Sequence, residues 1–306
     1  MELSVIIPTK DRGGVFEHSL RSAIDATSHL LAEIIVVNDS KTSKPIISNI
    51  ERIKLLNNPK AGVASARNLG VANSNGNILL FLDDDVVISK QSVDHVIKLH
   101  NDHFNACFNL NWVYPPELES ELDKNLFGRF LQKHGMNHFK GWYNDEGWRD
   151  NALFPSKSVS SFHLSIARKD FYKTKGYNET FPHAGFEDYD FPHQLKKAGI
   201  RFYIDSQVVV YHNEVDRLNF SGWINNQHRR AVTRKVAVDL GYTELKIEYG
   251  FMKKRILAVL TIGTPLMLIL LELMPNYKMF DRLYSKLLSV IIAIKIFNGY
   301  NSPIGK

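Results

Sequence analysis

The sequence predicts an α/β protein: a mostly parallel sheet with helices on both faces, followed by a C-terminal apolar helical segment. Three observations predict it. Over the first hundred residues, nearly all-apolar runs alternate with stretches of helical spacing, the pattern of strands buried on both faces. One such run, Ile78-Leu79-Leu80-Phe81-Leu82, stops abruptly in Asp83-Asp84-Asp85. After Gly250 the chain turns to long uncharged runs.

Composition sets outer limits. A chain of 306 residues with 44% hydrophobic and 23% charged residues is globular and large enough for one big domain or two small ones. A net charge of +6 suits an anionic substrate, nucleic acid or an anionic membrane and chooses none of them. The single cysteine, Cys107, excludes an internal disulfide and a cysteine-based metal site, and it suits a reducing compartment. No signal peptide is expected, since Glu2 and Ser4 lead directly into a strand-like run.

In chain order, Leu3-Ser4-Val5-Ile6-Ile7-Pro8 reads as the first strand, and Phe16, Leu20, Ala23 and Ile24 have helical spacing. Residues 33–39 read as the second strand, 45–50 as a helix and 53–56 as the third strand. Residues 62–73 read as a helix opening on glycine, 78–82 as the fourth strand and 91–100 as another helix. Beyond them, 106–112 reads as a strand, 119–133 as a helix and 159–168 as a strand. Residues 134–150, with Trp142, Tyr143 and Trp148, form either a mobile lid or a packed irregular loop. A helix begins near Glu187, buries Leu195 and Ala198, and ends at Gly199. Two short strands, 200–204 and 207–211, precede His212.

Right-handed crossovers place the carboxyl ends of the parallel strands on one side, where open α/β sheets bind ligands. Thr9, Asp11, Arg12, Asp39 and the three aspartates are expected to line that crevice. Adjacent carboxylates repel, so three at the end of a buried strand call for a cation. Asp39 suits a base N–H or a ribose hydroxyl, and equally an Asx-turn. Arg67 suits a base or a phosphate, and equally a solvated helix face. No glycine-rich phosphate cradle is present, so a phosphate-bearing ligand needs another counter-charge. Glu187, Asp188 and Asp190 form a second acidic cluster in a first helical turn, where acids also serve as ordinary dipole partners.

Together, Ser4-Val5-Ile6-Ile7-Pro8-Thr9, Val36-Val37-Asn38-Asp39-Ser40, residues 62–70, Phe81-Leu82-Asp83-Asp84-Asp85, Phe186-Glu187-Asp188-Tyr189-Asp190-Phe191 and His212 resemble a family 2 glycosyltransferase of the GT-A (Rossmann-like) fold. The resemblance implies an inverting enzyme using a nucleotide-sugar donor, with UDP the usual nucleotide, and a Mn²⁺ or Mg²⁺ cofactor. It places Pro8, Thr9, Asp11 and Arg12 near the base, Asp39 at the base or ribose, and Arg67 on the base. Asp85 becomes the first metal ligand. Asp83 and Asp84 face the ribose and metal-bound water, with Asp83 a second candidate ligand and His212 approaching the ion. Asp188 becomes the catalytic base beside Glu187. The processive Q-x-x-R-W pattern is missing its tryptophan in Gln227-His228-Arg229-Arg230-Ala231, which implies transfer of one or a few sugars. His228, Arg229 and Arg230 face a diphosphate or form a solvated basic helix.

The expected division is 1–100 for the donor, 101–225 for acceptor and base, and 226–306 for a helical extension. Residues 256–271 carry no charge and make about 24 Å of helix, short of a ~30 Å hydrocarbon core. With Lys253-Lys254-Arg255 in front, a membrane-associated hairpin over 253–297 at the cytoplasmic face is expected, with a buried hairpin or a homo-oligomer as alternatives. The expected acceptor is a glycan or lipid-linked saccharide, with no nucleic-acid partner. A sugar-phosphate nucleotidyltransferase and a catalytically silent glycan- or membrane-binding scaffold are the competing functions.

Overall fold

The computed structural model describes residues 2–47, 52–143, 147–181 and 184–302. In chain order the elements are β1 (Leu3–Thr9), α1 (Gly14–Ala26), β2 (Ala32–Asn38), β3 (Ile53–Asn57), α2 (Val63–Ala72), β4 (Ile78–Leu82) and β5 (Val86–Val87). Then come α3 (Lys90–Asp102), β6 (Ala106–Val113), α4 (Pro116–Leu122), α5 (Leu126–Lys133), α6 (Phe139–Trp142), β7 (Leu153–Pro155), β8 (His163–Ala167) and α7 (Arg168–Phe171). The chain finishes with α8 (Glu187–Lys197), β9 (Arg201–His212), α9 (Phe220–Asp239), α10 (Phe251–Glu272) and α11 (Asp281–Asn301).

The chain forms two compact units, one of Met1–Pro115, His138–Thr180 and Glu187–Glu214, the other of Pro116–Asn137, Phe181–Phe186 and Val215–Lys306. The first is built on one sheet in the order β3-β2-β1-β4-β8-β6-β9-β5, with β7 added to β9. β1 and β4 are buried along their whole length, β4 as an unbroken apolar run and β1 as one interrupted by Ser4. Ile6, Leu79 and Phe81 face a core shared with Ala64 and Val71 of α2, Phe171 of α7 and Phe191 of α8. α3 packs on the opposite face, where the His100 ring meets Phe108 edge-on at 4.9 Å. Close approach of α2 depends on Gly70, whose added Cβ would lie 2.4 Å from Ile6 Cγ2.

Parallel pairing holds through β3-β2-β1-β4 and returns between β6 and β9. β8 enters between β4 and β6 antiparallel to both, so the second half of the sheet is mixed. The two short strands expected before His212 are one strand, β9, whose pairing with β6 jumps from Leu110↔Asp205 to Asn111↔Val209. Ser206, Gln207 and Val208 form the bulge, held where Asp205 accepts the Gln207 N–H at 2.8 Å. Of residues 45–50, Pro45, Ile46 and Ile47 are not helical, and 48–50 lie outside the described residues. The strand expected over 159–168 is shorter, starting at His163.

In loop 134–150 the aromatic side chains pack: Phe139 stacks on Trp112 at 6.3 Å, and Trp148 meets Phe139 at 5.9 Å and Phe154 at 5.4 Å. Residues 144–146 of that loop are not among those described.

The second unit is helical. The single helix expected over 119–133 is two, because Asn125 caps α5 by accepting the Gly128 N–H at 2.7 Å. Phe127 and Phe130 of α5 pack edge-on against Trp223 of α9, and Arg129 pairs with Asp281 of α11 at 2.8 Å. α11 lies against α9 and α10, with Leu257, Ile294 and Phe297 forming a small core.

Candidate active site

Register builds the site. Ile6 pairs with Phe81, so Thr9 at the end of β1 comes level with Asp84, and its hydroxyl donates to Asp84 Oδ2 at 2.8 Å. Arg12, in the loop after β1, donates from Nη2 to Asp85 Oδ2 at 2.7 Å and places Nε 3.5 Å from Asp84 Oδ1. Asp83 is pinned through its backbone N–H, which donates to Phe162 O at 2.9 Å. Asp85 is fully buried and Asp84 nearly so.

Arg67 joins the two acidic clusters. Its side chain, 3% exposed, donates to Asp83 Oδ1 at 2.8 Å and to Glu187 Oε1 at 3.3 Å, and reaches Asp188 Oδ1 at 3.5 Å. Its guanidinium also lies over the Tyr177 ring at 5.2 Å. Burial alone would lower the Arg67 pKa, but Asp188 and Asp83 outweigh it and raise it further. Asp188, at the start of α8, has its pKa raised, first by desolvation, against the opposing pull of Arg67 and hydrogen bonds from Ser161. Ser161 also shares a 2.8 Å hydrogen bond with the Tyr177 hydroxyl, and no motif in the sequence pointed to it.

On the other side of Asp85 stands His212, the last residue of β9. Its Nε2 lies 3.2 Å from Asp85 Oδ1 and 3.8 Å from Glu214 Oε1. Burial would lower the His212 pKa, but the Glu214 and Asp85 carboxylates win and raise it to about 9. Asp85, His212 and Glu214 each offer one ligand atom, all within 4.8 Å of one another. Two carboxylates and one imidazole converging on that spacing offer the oxygen and nitrogen donors that suit a divalent cation. Asp83 pairs with Arg67 at 2.8 Å instead. Glu214 went unnoticed in the sequence, though His-x-Glu in an extended chain puts both side chains on one face.

The remaining candidates line the crevice at the β1–β2 end. Thr9, Asp11, Arg12, Asn38, Lys44 and Ile46 are among the walls of a cleft of about 290 Å³. Pro8 is buried in β1 opposite Val37. Asp11 holds a left-handed backbone (φ 52°) and accepts the Ser43 hydroxyl at 2.7 Å. The hydroxyls of Ser40 and Ser43 lower its pKa. Asp39 turns to the start of α2, accepting the Gly62 N–H at 2.9 Å and Asn58 Nδ2 at 2.6 Å. The Asx-turn after β2 belongs to its neighbour Asn38, which accepts the Ser40 N–H at 3.0 Å.

The model of the family described as Glycosyl transferase family 2 matches residues 4–173, more than half of the chain. Validoxylamine A glucosyltransferase of Streptomyces hygroscopicus subsp. jinggangensis is 25% identical over 260 residues, covering 74% of this chain and 60% of that protein. The GalNAc(5)-diNAcBac-PP-undecaprenol beta-1,3-glucosyltransferase of Campylobacter jejuni subsp. jejuni is 27% identical over 188 residues, 59% of this chain and 56% of that protein. The chain spans 60% or less of the length of the first curated relatives it matches. Among solved structures, GalNAc-T7 with UDP, GalNAc and Mn2+ superposes with a TM-score of 0.51 at 13% identity, over 69% of this chain and 43% of that one. S. aureus TarS 1-349 superposes with a TM-score of 0.50 at 13% identity, over 99% of this chain and 91% of that one. At that identity the likeness is one of fold. With three aspartates ending a buried strand, a buried arginine joining them to a second acidic cluster, and a family model that matches residues 4–173, this chain belongs to glycosyl transferase family 2.

Proposed function

We propose that this protein transfers a sugar from a nucleotide-diphosphate donor, a UDP-sugar, to a glycan or lipid-linked saccharide, with inversion at C1 and without processive polymerisation. The observation that carries the proposal is the Arg67 bridge, which sets a carboxylate of raised pKa, Asp188, beside the aspartates that end β4. In this reading the acceptor hydroxyl gives its proton to Asp188 as its oxygen bonds to C1. The C1–O bond to the diphosphate breaks on the opposite face, and the nucleoside diphosphate leaves with the bonding electrons. Asp85 and His212, with Asp83 on the ribose side, would hold a Mn²⁺ or Mg²⁺. When bound, that ion neutralises the charge developing on the leaving group. Thr9, Asp11, Arg12 and Asp39 sit where the nucleoside enters. The lipid-linked acceptor draws support from the Campylobacter relative, whose name specifies an undecaprenol-linked saccharide.

The tail fits a membrane-bound acceptor. Among the described residues α10 is long and apolar enough to cross a membrane, and most of its apolar length is not buried. Ile256, Val259, Ile262, Leu266 and Ile269 stand exposed along it, behind Lys253, Lys254 and Arg255. We place this face on anionic headgroups at the cytoplasmic side; self-association through the same stripe is the competing use.

A screen of nucleotide sugars with Mn²⁺ and Mg²⁺, reading released nucleotide, tests the activity. One donor is expected to release nucleoside diphosphate in a metal-dependent manner. Folded protein that releases none, yet forms pyrophosphate from a nucleoside triphosphate and a sugar phosphate, would make it a nucleotidyltransferase instead.

A further inference from the structure

The neighbourhood of His212 contains more than the expected ligands. β6 and β9 run parallel with Trp112↔Val210 and Val113↔Tyr211 in register, so the residues just beyond each strand meet side by side. Tyr114, 4% exposed, donates its hydroxyl to Glu214 Oε2 at 2.7 Å. The other oxygen, Oε1, is left facing His212 Nε2 at 3.8 Å, and that nitrogen faces Asp85 Oδ1 at 3.2 Å. Trp112, two residues before Tyr114, meets the His212 ring edge-on at 5.0 Å. The end of β6 and the residue after it thus orient two side chains of the cluster, the ring through Trp112 and the carboxylate through Tyr114. A spread of at most 4.8 Å between the three donor atoms is close to what one ion with bonds of about 2.0–2.6 Å spans.

We propose that Glu214 is a third protein ligand to the divalent cation, and that Tyr114 is a positioning residue that holds Oε2 and leaves Oε1 for the ion. The proposal rests on the reading that Asp85 and His212 hold a metal.

The test titrates Mn²⁺ alone into the full chain and follows free Mn²⁺ by electron paramagnetic resonance, with circular dichroism as the check on folding. Glu214→Gln is expected to weaken Mn²⁺ binding about 10- to 100-fold, and Tyr114→Phe about 10-fold, the range typical of groups that orient ligands. In the double variant the Tyr114 effect should vanish, because a hydroxyl acting only through Glu214 has nothing left to position. A purely packing role for Tyr114 would leave its effect intact in that background. Asp85→Asn separates the two levels of inference. If it loses Mn²⁺ while Glu214→Gln stays within twofold of the parent, the role of Glu214 is wrong. If it binds Mn²⁺ as the parent does, the metal site itself is wrong. Should Glu214→Gln not fold, Glu214→Asp, which keeps the charge and retracts it by one methylene, must weaken binding by the same criterion.

Discussion

At the residue scale the site is a balance of charges around Arg67. A guanidinium with 3% of its side chain exposed is costly unless paired, and it is paired with Asp83, Glu187 and Asp188 at once. Burial raises the Asp188 pKa and Arg67 restrains that rise. In the proposed mechanism Asp188 is the base and must be ionised to act, so turnover should rise with pH along a limb displaced above the ordinary carboxylate range. Replacing Arg67 by Gln removes the restraint, and the limb should move to higher pH, as a pH–rate profile would show. The same change should cost about 3 kcal/mol in urea unfolding, because it strands the buried carboxylate of Glu187. Asp188→Asn should lower turnover about 10²–10⁴-fold with unfolding unchanged. A folded Asp188→Asn variant at near-parental turnover would remove Asp188 from the role of base.

At the scale of elements, the fold depends on a few close approaches. α11 comes so near α9 that a Cβ on Gly299 would lie 2.3 Å from the His228 carbonyl oxygen and 2.9 Å from Ala231 Cβ. Gly299→Ala should force the helices apart and lower stability by about 1–3 kcal/mol, measured by thermal or urea unfolding. An unchanged midpoint would mean that α9 and α11 are less tightly engaged than this contact implies. Elements were legible in the sequence where one local rule governed them. The largely apolar runs of β1, β2 and β4 and the spacing of Phe16, Leu20 and Ala23 in α1 are such cases. Where a side chain overrides the pattern, it misleads. Asn125 stops one helix and starts the next, and Asp205 splits the apolar run of β9 with a bulge rather than a turn.

At the scale of the whole molecule, acid should unfold the protein through its core histidines. His100 and His163 are buried, and desolvation lowers each from 6.5 to about 4. A folded pKa below the unfolded one leaves the neutral fold fully favoured above pH 6.5. Stability is then lost as pH falls from 6.5 toward 4, because the unfolded chain takes up protons first. Urea midpoints should drop across that interval, and the drop should shrink in His163→Leu. An equal drop in that variant would assign the acid sensitivity elsewhere. For the tail, full-length protein should sediment with vesicles containing anionic lipid but not with neutral ones, and Ile262→Glu with Leu266→Glu should release it. Parent protein that stays in the supernatant as a dimer or larger species would favour self-association through α10.

The sequence by itself determined β1, α1, β2, β3, α2, β4 and α3 in order, though not the absence of a helix at Pro45–Ile47, together with the placement of three aspartates at a strand end, and the family. These follow from periodicity and from short motifs, which are local. Only the tertiary structure decided what the charged groups do to one another. Arg67 is 16 residues from Asp83 and 120 from Glu187, so nothing local could reveal that it pairs with both. Asp39 turns out to hold the start of α2 through Gly62, a contact set by how β2 meets that helix. Glu214 gains its place beside Asp85 because β6 and β9 run parallel and end together, bringing Tyr114 to it from 100 residues away. Burial and charge pairing arise from the packed sheet edge, and pattern along the chain carries neither.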